Sequence, residues 1–181
     1  MTAGFDEGGF VLCTGTYERS LDGKNRLLLP KAVRRVILDS ASLFITPGMA
    51  ENCLELHAIE SLEPLVQQVS AMKVGIRQRQ SFLRMLLSQT EKCELDGQHR
   101  VRIPARLADE FFAGKNTTIV GVGTHWEIWD PEKWSVFQEQ HQENFEAMAE
   151  EILGGRAMAT DNLPDHEYET AELEKLKRRK R

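Results

Sequence analysis

The stretch LDGKNRLLLP, residues 21–30, decides the fold because the chain repeats it as LDGQHRVRIP at residues 95–104. Both stretches keep Leu, Asp, Gly, Arg and Pro at matching positions, whereas most of their other polar positions differ. A motif repeated at a fixed spacing indicates two structurally similar units in one chain.

The residues on either side of the two stretches also correspond. TYERSL precedes the first and TEKCEL the second, and both alternate as strands do. LLLP and VRIP then predict short second strands. Pro30 and Pro104 each open a short helix, KAVRRVIL and ARLADEFF, since proline suits the first helical turn.

The correspondence continues beyond these helices. LFIT and TTIV predict third strands, and CLELHAIESLEPL parallels HWEIWDPEKWSVF as a fourth strand followed by a helix. Asp130 is the expected N-cap of the second of these helices, with Pro131 at its first position. A unit of about 45 residues with four short strands cannot bury a core alone. The two units must therefore pack on each other or on other chains.

The sequence thus predicts an α+β fold built from two tandem β modules with short helices and a long C-terminal helix. The apolar periodicity that defines this last helix fades toward the basic end KLKRRKR, and Gly75 is expected to break the helical segment between the modules. The expected parts are a flexible leader at 1–14, copy one at 15–61, a helical connector at 62–89, copy two at 90–133, the C-terminal helix at 134–155 and a disordered basic tail at 156–181.

Charge is distributed unevenly along a chain whose net charge is −5. Basic residues collect around the repeated stretches, and acidic residues collect toward the C-terminal helix. A polyanion would therefore bind at local basic patches rather than to the whole molecule. The alternative is that these patches are only solvated faces.

The cysteines and the hydropathy of the sequence indicate the cellular compartment in which the protein is expected to work. Cys13, Cys53 and Cys93 are widely spaced, which favours reduced, structural thiols in a cytoplasmic protein over a disulfide framework or a zinc site. The sequence shows no membrane span and no signal peptide. We expect no cofactor, no metal and no small-molecule substrate.

The repeated Asp-x-x-x-Arg pattern also indicates a chemical role for the aspartate and the arginine. In each copy an Asp-Gly turn, Asp22-Gly23 or Asp96-Gly97, is expected to join two strands, with glycine supplying a positive φ. The aspartate can hold both the turn amides and the arginine four residues later. An arginine oriented in this way suits phosphate or guanine, although the pair could also serve only to close the turn.

At these residues the chain resembles the MraZ family of bacterial transcriptional regulators. The resemblance rests on the two DxxxR motifs, on GTYERSLDGKNRLLLP and on the WEIWDPEKW segment, and it runs from about residue 15 to residue 140. The family has tandem swapped-hairpin modules of the SpoVT-AbrB type. It implies a closed ring of identical subunits that binds direct repeats in double-stranded DNA upstream of the division and cell wall operon, including its own promoter.

The resemblance also implies which residues act and where. Arg26 and Arg100 are the expected DNA-binding residues, with Asp22, Asp96, Gly23 and Gly97 shaping the turns. Lys24 and Arg34 are added as DNA-binding candidates on local charge. The protein is expected to be cytoplasmic and associated with the nucleoid, and its basic tail could add sequence-independent affinity for DNA.

One departure from the family pattern concerns the residue before each motif arginine. The family usually has glycine there, whereas this chain has Asn25 and His99. Because histidine enters the left-handed region less readily than asparagine, the second tip could differ in shape from the first.

Two other classes of function are alternatives to DNA binding. An enzyme is disfavoured, because the histidines are scattered and the sequence contains no GxSxG, HExxH, P-loop or GxGxxG motif. An antitoxin-like or protein-interaction module that uses the same hairpin fold is the alternative to a transcriptional regulator.

Overall fold

The computed structural model describes residues 12–37 and 42–157. Within these ranges the chain forms eight strands and six helices, which confirms the expected α+β class. It falls into two compact units that divide between Phe137 and Gln138. The elements are β1 (Thr16–Ser20), β2 (Arg26–Leu28), α1 (Lys31–Ile37), β3 (Leu43–Pro47), β4 (Leu54–Ala58), α2 (Ile59–Ala71), α3 (Ile76–Gln89), β5 (Glu91–Cys93), β6 (Arg100–Arg102), α4 (Ala105–Phe111), β7 (Asn116–Gly121), β8 (Trp126–Trp129), α5 (Pro131–Gln142) and α6 (Phe145–Ala157).

The strands of the two copies are interleaved in two antiparallel sheets. The larger sheet has the order β1-β7-β8-β4-β3-β5, and the smaller one pairs β2 with β6. Strand β1 of copy one therefore pairs with β7 of copy two, and β5 of copy two pairs with β3 of copy one. Exchanging equivalent strands of the copies gives the same order in reverse. The two copies thus complete one another's sheets, as the insufficient core of a single copy requires.

The main hydrophobic core uses equivalent positions of the repeat. Strands β2 and β6 pair at Leu27 and Val101, whose side chains are fully buried. Leucine, valine and isoleucine at matched positions bury both copies against a common interior, which a single unit could not enclose. These equivalent pairs, none of whose members is more than 1% exposed, are Leu27 and Val101, Leu29 and Ile103, and Val33 and Leu107.

The side chains of the WEIW segment, residues 126–129, point to both sides of the larger sheet. Trp126 lies in the main core, whereas Trp129 packs on the opposite side, since alternate residues of a strand face opposite ways. The Trp129 ring lies 5.4 Å from that of Trp134 and 5.2 Å from that of Phe137, measured between ring centroids. Residues at the beginning of α5 therefore pack in a second, smaller apolar cluster.

The start of α5 confirms the predicted cap. Asp130 Oδ1 accepts the backbone N–H of Glu132 at 3.0 Å, and Pro131 is the first helical residue. Asp130 Oδ2 also accepts the N–H of Ala113 at 2.8 Å, which ties the cap to the residues after α4.

The single long helix expected over residues 134–155 is instead two helices, α5 and α6. At the interruption, the backbone N–H of Asn144 donates to the carbonyl of His141, and its side-chain amide contacts the carbonyl of Gln140. Asparagine thereby competes for the carbonyl that a continuous helix would use. Helix α6 then continues through Gly154 to Ala157.

The structure also bears on the expected break at Gly75, on the leader and on the tail. Gly75 stands at the N-cap of α3, as the predicted break between two helices. Of the leader, residues 1–11 lie outside the described part, but Cys13 is buried and pairs with Gly123, so the described structure begins before residue 15. The tail beyond Ala157 lies outside the described residues.

The three cysteines are free and buried, which confirms the prediction of structural thiols. Burial raises the pKa of Cys13 to about 11 and that of Cys93 to about 12. Such thiols stay protonated and unreactive near neutral pH. Among the described residues, no helix is long and apolar enough to span a membrane.

Candidate nucleic-acid interface

The first Asp-x-x-x-Arg motif forms a tight turn held by its aspartate. Asp22 Oδ1 accepts the backbone N–H groups of Lys24 at 2.8 Å and Arg26 at 3.0 Å. Asp22 Oδ2 accepts the Nε–H of Arg26 at 2.7 Å. The carboxylate thus shapes the turn and orients the guanidinium together, as the sequence predicted.

The second motif repeats this arrangement bond for bond. Asp96 Oδ1 accepts the N–H groups of Gln98 at 2.9 Å and Arg100 at 3.0 Å, and Oδ2 accepts Arg100 Nε–H at 2.8 Å. The backbone bonds between the first and last motif residues also correspond, at 3.0 Å in copy one and 2.9 Å in copy two.

The left-handed backbone of each turn lies at the residue before the motif arginine and not at the glycine of the Asp-Gly pair. The positive φ expected at Gly23 and Gly97 occurs instead at Asn25, with φ of 55°, and at His99, with φ of 59°. The Asn25 N–H donates to the Asp22 carbonyl at 3.0 Å and the His99 N–H to the Asp96 carbonyl at 2.8 Å, and a turn closed in this way is typically followed by left-handed backbone in a three-residue hairpin loop. The expected difference in shape between the two tips was wrong, since both adopt the same turn.

Substitution at His99 should show the cost of this left-handed backbone. His99→Val should lower the free energy of unfolding by about 1–2 kcal/mol relative to His99→Gly, because a β-branched residue strains at positive φ and glycine does not. Urea unfolding of the two variants measures the difference. Equal stability of the valine and glycine variants would show that this backbone conformation does not constrain the turn.

The two motifs meet in one four-charge network, although 74 residues separate them in the sequence. Arg26 NH1 lies 3.8 Å from Asp96 Oδ2, and Arg100 NH1 lies 3.6 Å from Asp22 Oδ2. Each arginine therefore faces its own aspartate and that of the other copy. Pairing of β2 with β6 causes this proximity, because each strand begins at its motif arginine.

Both arginines are only partly exposed, with side-chain exposures of 30% for Arg26 and 23% for Arg100. The two arginines therefore do not project from separate turns. Instead they form part of a shared surface on the outer face of β2 and β6, opposite the buried Leu27 and Val101.

Arg102 belongs to this surface, although it was not among the leading candidates. It is exposed and pairs with Arg26 in the β2–β6 register. Strand alternation places Arg102 on the same face as Arg100, two residues earlier. That period of two could have singled it out, but copy one has Leu28 at the equivalent position, so the repeat did not draw attention to it.

The remaining candidates lie around this surface. Lys24 is exposed within the first turn, and Gly23 and Gly97 occupy equivalent exposed places in the two turns. Arg34 lies in α1 rather than in the two-stranded sheet, and its side chain is partly buried. Lys115, which the sequence did not suggest, donates from Nζ to Asn25 Oδ1 at 2.8 Å and so adds a cation beside the first turn.

Both motif aspartates remain charged far below neutral pH. The pKa of Asp22 falls to about 2, first because the Arg26 backbone N–H donates to its carboxylate, and further through hydrogen bonds from Lys24 N–H and the Arg26 side chain. The pKa of Asp96 is also lowered, chiefly by the Arg100 backbone N–H. The network is therefore fully ionised at physiological pH.

Acid should weaken the fold through these groups. A carboxylate whose pKa is lowered by folding stabilises the native state above its unfolded pKa and loses that effect as pH falls through its folded pKa. The protein should therefore lose stability as the pH falls from 3.8 to about 2. Asp22→Asn should be less stable at neutral pH and fall less steeply over that window in urea titrations. A decline as steep as that of the wild type would contradict this assignment.

The fold and this surface define a class: a duplicated α+β protein whose copies exchange strands and join two Asp-x-x-x-Arg turns beneath an arginine-bearing face. A family model described as "MraZ protein, putative antitoxin-like" matches residues 86–155. Transcriptional regulator MraZ of Natranaerobius thermophilus is 32% identical over 139 residues, covering 77% of this chain and 95% of that protein. Transcriptional regulator MraZ of Ureaplasma urealyticum is 30% identical over 139 residues with the same coverage.

The chain belongs to the MraZ family. The relatives are named as transcriptional regulators and not as enzymes, in agreement with the absence of enzyme motifs from the sequence. The predicted family resemblance is therefore confirmed over most of the chain.

Proposed function

We propose that this protein is a sequence-specific DNA-binding transcriptional regulator of the bacterial division and cell wall gene cluster, including its own promoter. The observation that carries the proposal is the joined pair of motif turns, which presents Arg26, Arg100 and Arg102 on one face of β2 and β6. Arginine is the side chain best suited to bidentate contact with phosphate and with guanine.

Specificity would arise from the arginines that are already oriented. Each aspartate holds Nε of its arginine, which fixes the guanidinium plane before DNA arrives. Fixing these side chains in advance reduces the entropy that binding must remove. Lys24 and Lys115 beside the turns would contact phosphates, with Arg34 as a more distant candidate.

The strand exchange supports a finer description of the fold. In this proposal each copy is a swapped-hairpin module of the SpoVT-AbrB type, and the two modules are completed by each other within one chain. Pairing of β1 with β7 and of β5 with β3 supports this description. The proposed modules keep the boundaries 15–61 and 90–133, with 62–89 as the connector.

Assembly into a closed ring of identical subunits is part of the same proposal. Helix α3 exposes several large apolar side chains, a pattern that is typical of a surface covered by another protein. A head-to-tail contact that used this helix would close into a ring if its rotation permits. The exposed apolar residues in α3 are Ile76, Phe82, Met85 and Leu87.

Several identical arginine faces would then meet direct repeats in DNA, and multivalent binding would raise the overall affinity. The proposal places the protein in the cytoplasm, associated with the nucleoid. DNA binding is preferred to the antitoxin-like alternative because both motif turns are intact and contribute to one arginine-bearing surface.

A mobility-shift titration on the DNA upstream of its own gene tests this function. The protein should shift the native fragment and should bind a fragment with scrambled repeats far more weakly. Its affinity should fall steeply with salt as phosphate counterions are released. Equal affinity for both fragments would refute sequence-specific binding, and a stable protein partner without any DNA binding would favour the antitoxin-like alternative.

A further inference from the structure

A buried polar cluster lies on the side of the larger sheet away from the main core. Glu55 and His57 belong to β4, and His125 immediately precedes β8. Glu55 Oε2 lies 2.9 Å from His57 Nε2 and 3.9 Å from His125 Nε2. Glu55 and His57 are 4% and 2% exposed, so one carboxylate oxygen faces two imidazole nitrogens away from solvent.

His57 offers one ring nitrogen to the Glu55 carboxylate and the other to Ser61. Ser61 Oγ donates its hydrogen to the Ala58 carbonyl at 2.9 Å and lies 3.5 Å from His57 Nδ1. His57 Nε2 lies 2.9 Å from Glu55 Oε2, to which it donates in one tautomer. In the other tautomer Nδ1–H faces Ser61 Oγ, and the Nε2 lone pair is then available to a cation beside the carboxylate.

The ring of His125 points to the same place. Its Nδ1 lies 3.1 Å from Thr124 Oγ1, whereas its Nε2 is buried and makes no hydrogen bond within the described part of the chain. A buried ring nitrogen that lacks a partner is costly unless it binds something. The two imidazoles are stacked, with centroids 4.5 Å apart, which brings both nitrogens to the same carboxylate.

The surroundings of Glu127, the repeat equivalent of Glu55, are simpler. There Glu127 accepts a hydrogen bond from Trp129 Nε1 at 2.8 Å, and Cys53 stands where the other side has His125. The tryptophan N–H satisfies the carboxylate with a donor alone. Around Glu55 the corresponding positions hold two imidazoles, His57 and His125, each of which brings a lone pair as well as a donor.

We propose that Glu55, His57 and His125 form a binding site for a divalent transition-metal ion. Zinc takes imidazole nitrogen and carboxylate oxygen at about 2.0–2.2 Å, with water at a fourth position. The three ligand atoms lie within 4.8 Å of one another, so small side-chain movements bring them to one ion. Met49 N–H, Ser61 and Thr124 already hold the outer atoms of the ligands, as second partners commonly do.

The ion would join the two copies of the repeat. Two ligands come from β4 of copy one, and the third comes from the loop between β7 and β8 of copy two. Binding to the folded state alone would raise the thermal unfolding midpoint. The site belongs to the larger sheet, whereas the arginine face belongs to the two-stranded sheet of β2 and β6.

Zinc binding to the untagged full chain tests the proposal. After removal of metal with a chelator, calorimetric titration with zinc chloride should show saturable binding of one ion per chain and a higher unfolding midpoint. His125→Gln should weaken zinc affinity by at least about 100-fold, since a direct ligand should matter no less than the outer partners. His141→Gln, a histidine outside the cluster, is the matched control and should bind as the wild type does.

Other results decide against the site. The proposal would be overturned if the wild type showed no saturable zinc binding, or if His125→Gln bound zinc with equal affinity. The cluster would then be a structural glutamate–histidine pair. If Glu55 or His57 variants fail to fold, the wild-type protein still provides a measurement. Cobalt bound to it in place of zinc should give the visible absorption of a low-symmetry site with nitrogen and oxygen ligands. A cobalt spectrum identical to that of the hydrated ion would also reject the proposal.

Discussion

Alanine at both Arg26 and Arg100 is expected to abolish specific DNA binding. If each guanidinium contacts a base edge or phosphates, each loss should cost about 1–3 kcal/mol of binding free energy. Together they would reduce affinity by several orders of magnitude in mobility-shift titrations. Binding equal to that of the wild type would refute the proposed role of the motif arginines.

The same substitutions should also lower stability, so a matched variant is needed to separate the two effects. Each arginine is held by two aspartates, and removal of both arginines leaves Asp22 and Asp96 without the cations that pair with them. Arg102→Gln tests the same face without breaking a motif pair. It should leave the unfolding midpoint unchanged and reduce the salt dependence of DNA binding by about one phosphate contact.

Trp126→Ala is expected to cause the largest loss of stability. The side chain is 1% exposed in the main core, and its ring centroid lies 6.0 Å from that of Tyr17. Truncation of a buried tryptophan to alanine costs about 3–5 kcal/mol through lost burial and the resulting cavity. That is a large share of the 5–15 kcal/mol that typically separates folded from unfolded protein.

Urea unfolding measures this change, with Val136→Ala as the control. Val136 is 51% exposed on α5, and its truncation should alter the free energy of unfolding by no more than about 0.5 kcal/mol. A loss of less than about 1 kcal/mol in Trp126→Ala would mean that β8 is not anchored through this ring.

The repeat allowed much of the local structure to be predicted. The Pro30 and Pro104 helices, the Asp130 cap and the break at Gly75 all follow from residue types whose backbone preferences act over a few residues. Two local expectations were wrong for equally local reasons. The positive φ lies at the residue before the arginine rather than at the glycine, and the C-terminal helix is interrupted at Asn144.

The candidate surface could be predicted only in part. The Asp–Arg bond within each motif was expected, because four residues of a tight turn bring the two side chains together. The bonds between motifs were not, because they depend on the pairing of β2 with β6. The same pairing places Arg102 beside Arg26, which no comparison of the two copies could show.

The sequence by itself determined the duplication, the α+β class, the turns and the family, since these are carried by residue types at short spacings. Only the tertiary structure decided that the copies exchange strands, that four motif charges form one network, and that His57 and His125 face the same carboxylate. The physical reason is that such contacts join residues roughly 50 to 100 positions apart in the sequence. Their formation depends on burying a core that neither copy can enclose alone.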